Sequence, residues 1–336
     1  MPAVPTSANT APMHRKTFLT TLLLCAASLV HAQSFPTRPV TLVSPFPAGS
    51  GSDLTARAIA PGLAEVLGQP VVVENRPGAG GAIGAQHVAK AKPDGYTLFL
   101  ASLSFSVLPS LQELAFDPAR DFEAVTLMGQ QPMAFVVPPN LPAATMADLV
   151  AQAKASPGKL NYASAGAGSI GHLVGELLKS ERAVDIVHVP FKGTPEALTA
   201  IMQGEVQMGL IAMPAVEAQV KAGKVKALAV TGQARYPGLP NVPTLVEAGF
   251  PSLSDSVWYA VLVPAGTPRD VIERLNAGFR QAIAKPATVE RLEGPAKTSP
   301  ASSTPQEATT YLRAQVAKWN KVAAQAGLKP QPARQN

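Results

Sequence analysis

The sequence alternates short runs of apolar, mostly β-branched residues with longer stretches of helical periodicity. Near the N-terminus the predicted elements are a buried strand at 40–44, a helix at 53–67, a strand at 71–73, a helix at 84–91 and a strand at 96–101. Strands that alternate with helices in this way form a parallel sheet with helices on its faces. The order of elements therefore predicts an α/β fold.

The same order begins again in the second part of the chain. Further predicted strands lie at 133–137, 159–163, 185–189, 206–211, 225–230 and 258–263, with helices at 146–155, at 169–179, from 194, from 267 and from 304. At about 150 residues per domain, a chain of 336 residues predicts two domains. We predict one lobe from 33–130 with 254–336 and a second lobe from 131–253, with chain crossings near Gln131 and Ser254.

The first 32 residues have the pattern of a secretory signal peptide. A basic cluster at 14–16 precedes an apolar stretch at 17–30, which is too short to span a bilayer, and small residues precede Gln33. We therefore expect an exported protein cut before Gln33, without later membrane insertion. The only cysteine, Cys25, lies in this leader, so the mature chain has no disulfide or thiol chemistry.

The charge of the chain is mildly positive. It carries 28 Lys and Arg against 22 Asp and Glu, and two of the basic residues belong to the predicted leader. A small positive excess suits anionic small molecules, while the lack of any Lys/Arg run argues against a nucleic-acid partner.

Two glycine–serine loops stand where a predicted strand ends and a helix begins: "SPFPAGSGSD" at 44–53 and "SAGAGS" at 164–169. Ligands of parallel α/β sheets bind at this position. Glycines let the backbone approach a ligand, and the N–H groups and dipole of a helix N-terminus favour an anion. Hydroxyls are supplied by Ser50, Ser52, Ser164 and Ser169. The loops therefore predict an anion held from both lobes, the alternative being that each is only a tight turn.

A cofactor or metal site is not predicted. Residues 166–171 read G-x-G-x-x-G, but the next strand, 185–189, lacks the acidic end that a dinucleotide ribose needs. The chain has no P-loop lysine motif, and His87, His172 and His188 lack metal-ligand spacing.

Catalytic residues are not predicted either. The chain lacks a G-x-S-x-G nucleophile elbow. His172 is read as packing locally in the first turn of its helix. For His188, at a strand end, a position in the cleft and one in the core both stay open.

Several motifs together carry a family resemblance. "PFPAGSGSD", "ENRPGAGG", "PDGYTL" and "VHVPFKGTPEAL" occur in order, and similarity extends over nearly the whole mature chain. The sequence resembles the Bug/TctC family of periplasmic solute-binding receptors of tripartite tricarboxylate transporters. The resemblance implies a type II periplasmic-binding-protein fold, in which two α/β lobes joined by crossing strands enclose a ligand cleft. It implies a monomeric receptor, not an enzyme, that takes a carboxylate to membrane permease subunits.

The resemblance also implies where the ligand binds. The family's loops correspond to Phe46, Ala48, Gly49 and Ser50, to Ser164, Ala165, Gly166 and Ser169, and to His188, Pro190, Phe191, Lys192 and Gly193. The full set of predicted ligand-binding residues is Phe46, Ala48, Gly49, Ser50, Ser104, Ser164, Ala165, Gly166, Ser169, His188, Pro190, Phe191, Ile211 and Ala212.

Three features of the sequence depart from the family pattern. Phe191 replaces the usual tyrosine, the first loop reads Gly-Ser-Gly-Ser-Asp, and Ile211 and Ala212 replace an acidic residue and an asparagine. An apolar cleft wall favours a carboxylate with an apolar or aromatic portion over an α-amino acid. The alternative is that Ile211 and Ala212 face the core. A hydrolase on the same fold and a ligand-sensing subunit remain the rival functions.

Overall fold

The computed structural model describes residues 1–3, 35–167, 169–325, 327 and 329–332. Apart from 1–3, the predicted signal peptide and its cleavage site lie outside the described residues. The fold is formed by the unit that runs from Arg38 to Asn336.

Two β-sheets with helices on their faces make up this unit. The strands of the described residues are β1 Val40–Ser44, β2 Val71–Asn75, β3 Thr97–Ser102, β4 Phe122–Gln131, β5 Met133–Val137, β6 Leu160–Ser164, β7 Ile186–Pro190, β8 Met208–Ala212, β9 Lys226–Val230, β10 Val257–Pro264 and β11 Ser299–Pro300. The α-helices of the same residues are α1 Gly51–Leu67, α2 Ala82–Ala89, α3 Leu103–Leu111, α4 Met146–Ala155, α5 Ile170–Arg182, α6 Thr194–Gln203, α7 Met213–Lys221, α8 Arg269–Ile283, α9 Pro286–Glu293 and α10 Pro305–Gln325. The α/β class predicted from the sequence is confirmed.

The first sheet has the strand order β11-β4-β10-β3-β1-β2. Strands β2, β1 and β3 pair in parallel, because α1 and α2 carry the chain back to the same edge after each strand. Strand β10 is antiparallel to both β3 and β4 and is buried along its whole length. The carboxyl ends of β1 and β3 therefore meet the starts of α1 and α3 at one edge.

The second sheet has the order β7-β6-β8-β5-β9. Here β7, β6 and β8 are parallel, and β5 is antiparallel to both β8 and β9. The carboxyl ends of β6, β7 and β8 lead into α5, α6 and α7, as in the first sheet.

The chain passes between the sheets in two places. Strand β4 ends at Gln131 and β5 begins at Met133; Pro132, which lacks an N–H for either ladder, separates them. The chain returns between β9 and β10, where the Met133 N–H donates to Thr231 Oγ1 at 2.9 Å. The lobe boundaries at 131 and 254 stay predictions.

Some elements differ from the sequence-based expectation. The strand β4 was not predicted, because Glu123, Gly129 and two glutamines interrupt its apolar pattern. Gly129 has a φ of 137°, and a side chain at this position would overlap the backbone of Ser299. Helix α3 was missed because Pro109 lies inside it. Helix α6 begins at Thr194, where a helix was expected, and Gly193 is its N-cap.

Candidate ligand-binding cleft

A cleft lies between the two sheets, where strands end and helices begin. It contains about 550 Å³ of empty space, including the part open to solvent. Its lining residues are Phe46, Ser50, Gly51, Ser52, Ser102, Ser104, Gln131, Met133, Ala165, Ser169, Ile170, Gly171, Thr194, Leu210, Ile211, Ala212, Val257 and Tyr259. Both sheets and their helices therefore contribute to one site.

Buried serines form the wall beside the first sheet. Ser50 is the N-cap of α1, and its Oγ accepts from the Asp53 N–H at 3.3 Å. The hydroxyls of Ser50 and Ser52 lie 3.2 Å apart, and Ser52 contacts Ser44 at 3.0 Å. This chain of hydroxyls can turn its protons toward an acceptor in the cleft, because each oxygen both donates and accepts.

Ser104, in the first turn of α3, connects the two walls. Its Oγ accepts from the Ile170 N–H at the start of α5 at 3.3 Å, across the cleft. Ser102 lies at the N-cap position of the same helix. One hydroxyl therefore connects the N-terminus of α3, beside the first sheet, with the N-terminus of α5, beside the second.

The loop before α5 is held by its own hydrogen bonds. Ser169 Oγ donates to the Gly166 carbonyl at 2.7 Å and accepts from the His172 N–H at 3.4 Å. Gly166 has a φ of 109°, a conformation that favours glycine. These hydrogen bonds therefore fix Gly166 and Ser169 relative to the first turn of α5.

Neutral donors supply the positive potential of the cleft. The first turns of α1, α3, α5 and α6 line it, together with Ala212, the N-cap of α7. Helix N-termini present N–H groups without backbone acceptors and a positive dipole end. None of the described lining residues carries a charged side chain. An anion would be held here by dipoles and hydroxyls and not by an ion pair.

Asp53 is the acidic residue nearest in sequence to the lining residues of α1, and its carboxylate has other partners. It accepts from the Gly49 N–H at 2.9 Å, from Asn75 Nδ2 at 2.9 Å and from Arg57 Nε at 2.9 Å. These bonds hold the loop before α1 and neutralise the carboxylate. They also occupy the Gly49 N–H.

The cleft floor consists of Gly51, Gln131 and Tyr259. The Tyr259 hydroxyl donates to Gln131 Oε1 at 2.9 Å, and Gln131 Nε2 donates to the Ala296 carbonyl at 2.6 Å. Burial raises the pKa of the Tyr259 hydroxyl, although a hydrogen bond with Thr55 acts in the opposite direction, so the group stays protonated.

The opposite wall is apolar. Met133, Leu210, Ile211 and Ala212 line it from the second sheet. Ile211 also packs in the buried core cluster of that sheet, so this residue both lines the cleft and faces the core.

The structure divides the predicted ligand-binding residues into two groups. Those that line the cleft are Phe46, Ser50, Ser104, Ala165, Ser169, Ile211 and Ala212. Those outside its lining are Ala48, Gly49, Ser164, Gly166, His188, Pro190 and Phe191. Ala48 and Gly49 are exposed, and Phe191 packs against the core cluster of the second sheet.

His188 lies beneath the loop that precedes α5. Its Nε2 is 2.7 Å from Ser164 Oγ, and its ring stacks on His172 at 4.1 Å and on Tyr162 at 4.9 Å between centroids. Ser164 is buried and lies outside the cleft lining. This serine–histidine contact therefore supports the loop and does not present a nucleophile to the cleft.

Other lining residues were not predicted. Gly51, Gln131, Thr194 and Tyr259 line the cleft, as do several apolar residues. Thr194 carried a signal, since a helix start was recognised there. Gln131 and Tyr259 lie on neighbouring antiparallel strands, and their pairing is not visible in either local sequence.

The family model described as "Tripartite tricarboxylate transporter family receptor" matches residues 55–328. The chain belongs to this family. Among solved structures, the receptor is similar to periplasmic binding protein BugD, with 33% identity and a TM-score of 0.83 over 88% of this chain and 100% of that one. The R. palustris protein Rpa4515, solved with adipate, is 35% identical, with a TM-score of 0.82 over 88% and 100% of the two chains. MatC of Rhodopseudomonas palustris, solved with malate, is 31% identical, with a TM-score of 0.79 over 86% and 100%.

These similarities confirm the predicted family and the two-lobed periplasmic-binding-protein fold of the receptor. The protein is a periplasmic solute-binding receptor. Across the residues that the structure describes, no helix is long and apolar enough to cross a bilayer. Within those same ranges, no group of three or more His, Cys, Asp or Glu side chains lies close enough together to hold a metal ion.

Proposed function

We propose that the receptor binds a small carboxylate with an apolar portion, closes around it by a hinge motion and delivers it to the permease of a tripartite tricarboxylate transporter. The observation that carries this proposal is the convergence of helix N-termini and serine hydroxyls on a cleft whose opposite wall is apolar. The carboxylate would accept from the N–H and hydroxyl donors. The apolar portion would be stabilised by about 25 cal/mol for each Å² of apolar surface buried.

The lining favours this ligand class over α-amino acids. An ammonium group in a desolvated cleft needs a carboxylate or several acceptors, and the described lining contains no acidic side chain. Adipate and malate in the two related structures are both carboxylates without an ammonium group.

A thermal-shift panel on the mature protein tests the ligand class. The panel contains aromatic monocarboxylates, aliphatic dicarboxylates, citrate and amino acids. Binding to the folded state raises the melting temperature by mass action, so apolar carboxylates should give the largest shifts. A shift with aspartate or glutamate, and none with any apolar carboxylate, would contradict the proposal.

Two matched variants of α6 test the position of the site. Thr194 lines the cleft, whereas Thr199 is exposed on the same helix and donates to the Pro195 carbonyl. Thr194→Val should weaken binding of the stabilising ligand about tenfold, the effect of losing a hydrogen bond to a charged group. Thr199→Val should leave the affinity unchanged. Equal affinities in both variants, measured by calorimetry, would place the ligand elsewhere.

Hinge closure is tested by distance measurements between the lobes. Because Cys25 lies in the predicted leader, the mature protein accepts two cysteine labels without interference. Labels at Lys154→Cys on α4 and Glu273→Cys on α8 should approach each other when ligand is added, because only the closed form contacts the ligand from both lobes. A label distance that ligand does not change would argue against closure.

Delivery and export need measurements in cells. Deletion of the gene should abolish high-affinity uptake of the ligand, and ligand recovered from the purified protein should be chemically unchanged. Chemical conversion of the ligand would favour the alternative that the protein is a hydrolase. Unaltered uptake, combined with loss of a transcriptional response to the ligand, would favour the alternative that it is a ligand-sensing subunit. N-terminal sequencing of periplasmic material should begin at Gln33.

A further inference from the structure

The carboxamide of Gln131 has one orientation in the cleft floor. Gln131 is fully buried, and its nitrogen donates to the Ala296 carbonyl at 2.6 Å and to Thr298 Oγ1 at 3.3 Å. A carbonyl oxygen can only accept, so the nitrogen must face Ala296 and the oxygen must face the other way. The Gln131 side chain therefore offers Oε1, an acceptor, on the side of Tyr259.

The Tyr259 hydroxyl has a single proton, and Gln131 takes it. The two oxygens are 2.9 Å apart, and only the phenol can donate in this pair. Tyr259 is buried and stays protonated, because burial raises the pKa of its hydroxyl. Tyr259 Oη then has only lone pairs left, one of which is engaged by the hydrogen bond with Thr55, so the side chains of the floor present acceptors.

Gly51 fixes this arrangement from the side of α1. A Cβ on Gly51 would overlap Gln131 Oε1 and lie 2.9 Å from Tyr259 Oη, so only glycine lets the first turn of α1 come this close. The N–H groups of Gly51 and Ser52 belong to that first turn, where the helix provides no backbone acceptor. Donors and acceptors thus stand side by side at the floor.

Resting on the proposed function, we propose that the floor selects a ligand whose far end is a hydroxyl and not a second carboxylate. A hydroxyl donates to Tyr259 Oη or Gln131 Oε1 and accepts from the first turn of α1, whereas a carboxylate only accepts and meets the lone pairs of both oxygens. The carboxylate of the ligand then binds at the N-termini on the other side of the cleft. Gln131 and Tyr259 are the specificity-determining residues, and the ligand is a hydroxycarboxylate with an apolar spacer.

Calorimetry with three matched series of probes tests this specificity. The series are alkanoates, ω-hydroxyalkanoates and α,ω-dicarboxylates of four to eight carbons, titrated into the mature protein. At the best chain length, the hydroxyalkanoate should bind at least tenfold more tightly than the alkanoate and the dicarboxylate of equal length. A dicarboxylate that binds as tightly as the hydroxyalkanoate at its best length would overturn the inference and leave the proposed function intact.

Two floor variants show whether the acceptors cause the preference. Gln131→Met keeps the side-chain volume but removes Oε1, so the Tyr259 proton becomes available and the dicarboxylate should gain at least tenfold relative to the hydroxyalkanoate. Tyr259→Phe removes one acceptor and should reduce the preference for the hydroxyalkanoate at least threefold. If Gln131→Met does not fold, the affinity ratios of the wild type and of Tyr259→Phe show whether the floor acceptors cause the preference.

A tyrosine outside the cleft provides the control. Tyr311 lies on α10 with its ring 5.6 Å from that of Trp258, and Tyr311→Phe should leave all three affinities at their wild-type values. Identical ratios of hydroxyalkanoate to dicarboxylate affinity in the wild type and both floor variants would overturn the role of Gln131 and Tyr259. A wild type that binds none of the three series would overturn the proposed function and this inference with it.

Discussion

Serine hydroxyls at the cleft serve two purposes, and their hydrogen bonds show which one dominates at each residue. The proton of Ser169 goes to the Gly166 carbonyl, and its oxygen caps the first turn of α5. Ser50 caps α1 and shares hydrogen bonds with Ser52. Because both hydroxyls cap a helix, a serine-to-alanine change at either residue acts first on the stability of that helix.

At this scale we predict that Ser169→Ala lowers the free energy of unfolding by about 1 kcal/mol, the usual effect of losing an N-cap. The variant also removes one donor to the Gly166 carbonyl, which keeps the Ser164 hydroxyl and the N–H of residue 169. Urea unfolding of the ligand-free protein measures the change, and Ser302→Ala, at an exposed position, is the control. A stability equal to the wild type, combined with a loss of ligand affinity, would mean that the hydroxyl serves only the ligand.

Helix α5 carries the cleft wall at its start and packs over β6 farther along. Gly175 lies where an added Cβ would overlap the Tyr162 ring, whereas a Cβ on Gly171 would meet Ser164 Cβ at 3.4 Å, an ordinary contact. The Tyr162 hydroxyl donates to Glu176 at 2.7 Å, and its ring stacks on His188. The close approach of helix to strand therefore depends on one of the two glycines.

For this element we predict opposite effects of the same substitution. Gly175→Ala should lower the free energy of unfolding by about 1–3 kcal/mol, because overpacking displaces the Tyr162 ring. Gly171→Ala should be neutral or stabilise by up to about 1 kcal/mol, because alanine is the better helix former where space allows it. Denaturant unfolding of the two ligand-free variants makes the comparison. Equal destabilisation of both would show that the ring does not limit the helix position.

On the scale of the whole molecule, one ion-pair cluster joins the two sheet units. Glu217, on α7 beside the second sheet, contacts Lys297, which precedes β11 of the first sheet, at 2.9 Å. Lys221 and Tyr236 also donate to its carboxylate. Burial alone would raise the pKa of Glu217, but the hydrogen bonds from Lys221, Lys297 and Tyr236 outweigh it and lower this pKa to about 2.

The lowered pKa predicts how stability depends on pH. A carboxyl group whose pKa is lower in the folded state stabilises that state above its ordinary pKa of 4.5 and loses this contribution as the pH falls toward 2. Glu217→Gln should therefore lower the free energy of unfolding by about 1–3 kcal/mol at pH 7, and the difference should shrink below pH 4.5. Urea titrations at several pH values measure it.

An exposed ion pair gives the matched control for this experiment. Glu273 pairs with Arg269 at 3.2 Å with both side chains largely exposed, and such pairs contribute little. Glu273→Gln should change the free energy of unfolding by less than about 0.5 kcal/mol at every pH. A pH-independent effect of Glu217→Gln would contradict the assignment of its low pKa.

The sequence by itself determined the α/β class, the family and the loops that flank the cleft. These follow from local patterns: the spacing of apolar residues distinguishes strand from helix, and the motifs around Phe46, Ser169 and His188 lie in continuous stretches. The helix expected from 304 is also formed, and Thr304 and Glu307 cap its first turn with reciprocal hydrogen bonds.

Only the tertiary structure decided which side chains line the cleft. Each helical residue turns by about 100° from the one before, so a loop motif cannot show that Gly51 and Ser52 line the cleft while Ala48 and Gly49 do not. Gln131 and Tyr259 are 128 residues apart in the chain and meet because β4 and β10 pair as antiparallel neighbours. That pairing, and the hydrogen-bond direction that it imposes, arises from packing of the whole sheet and not from any local pattern.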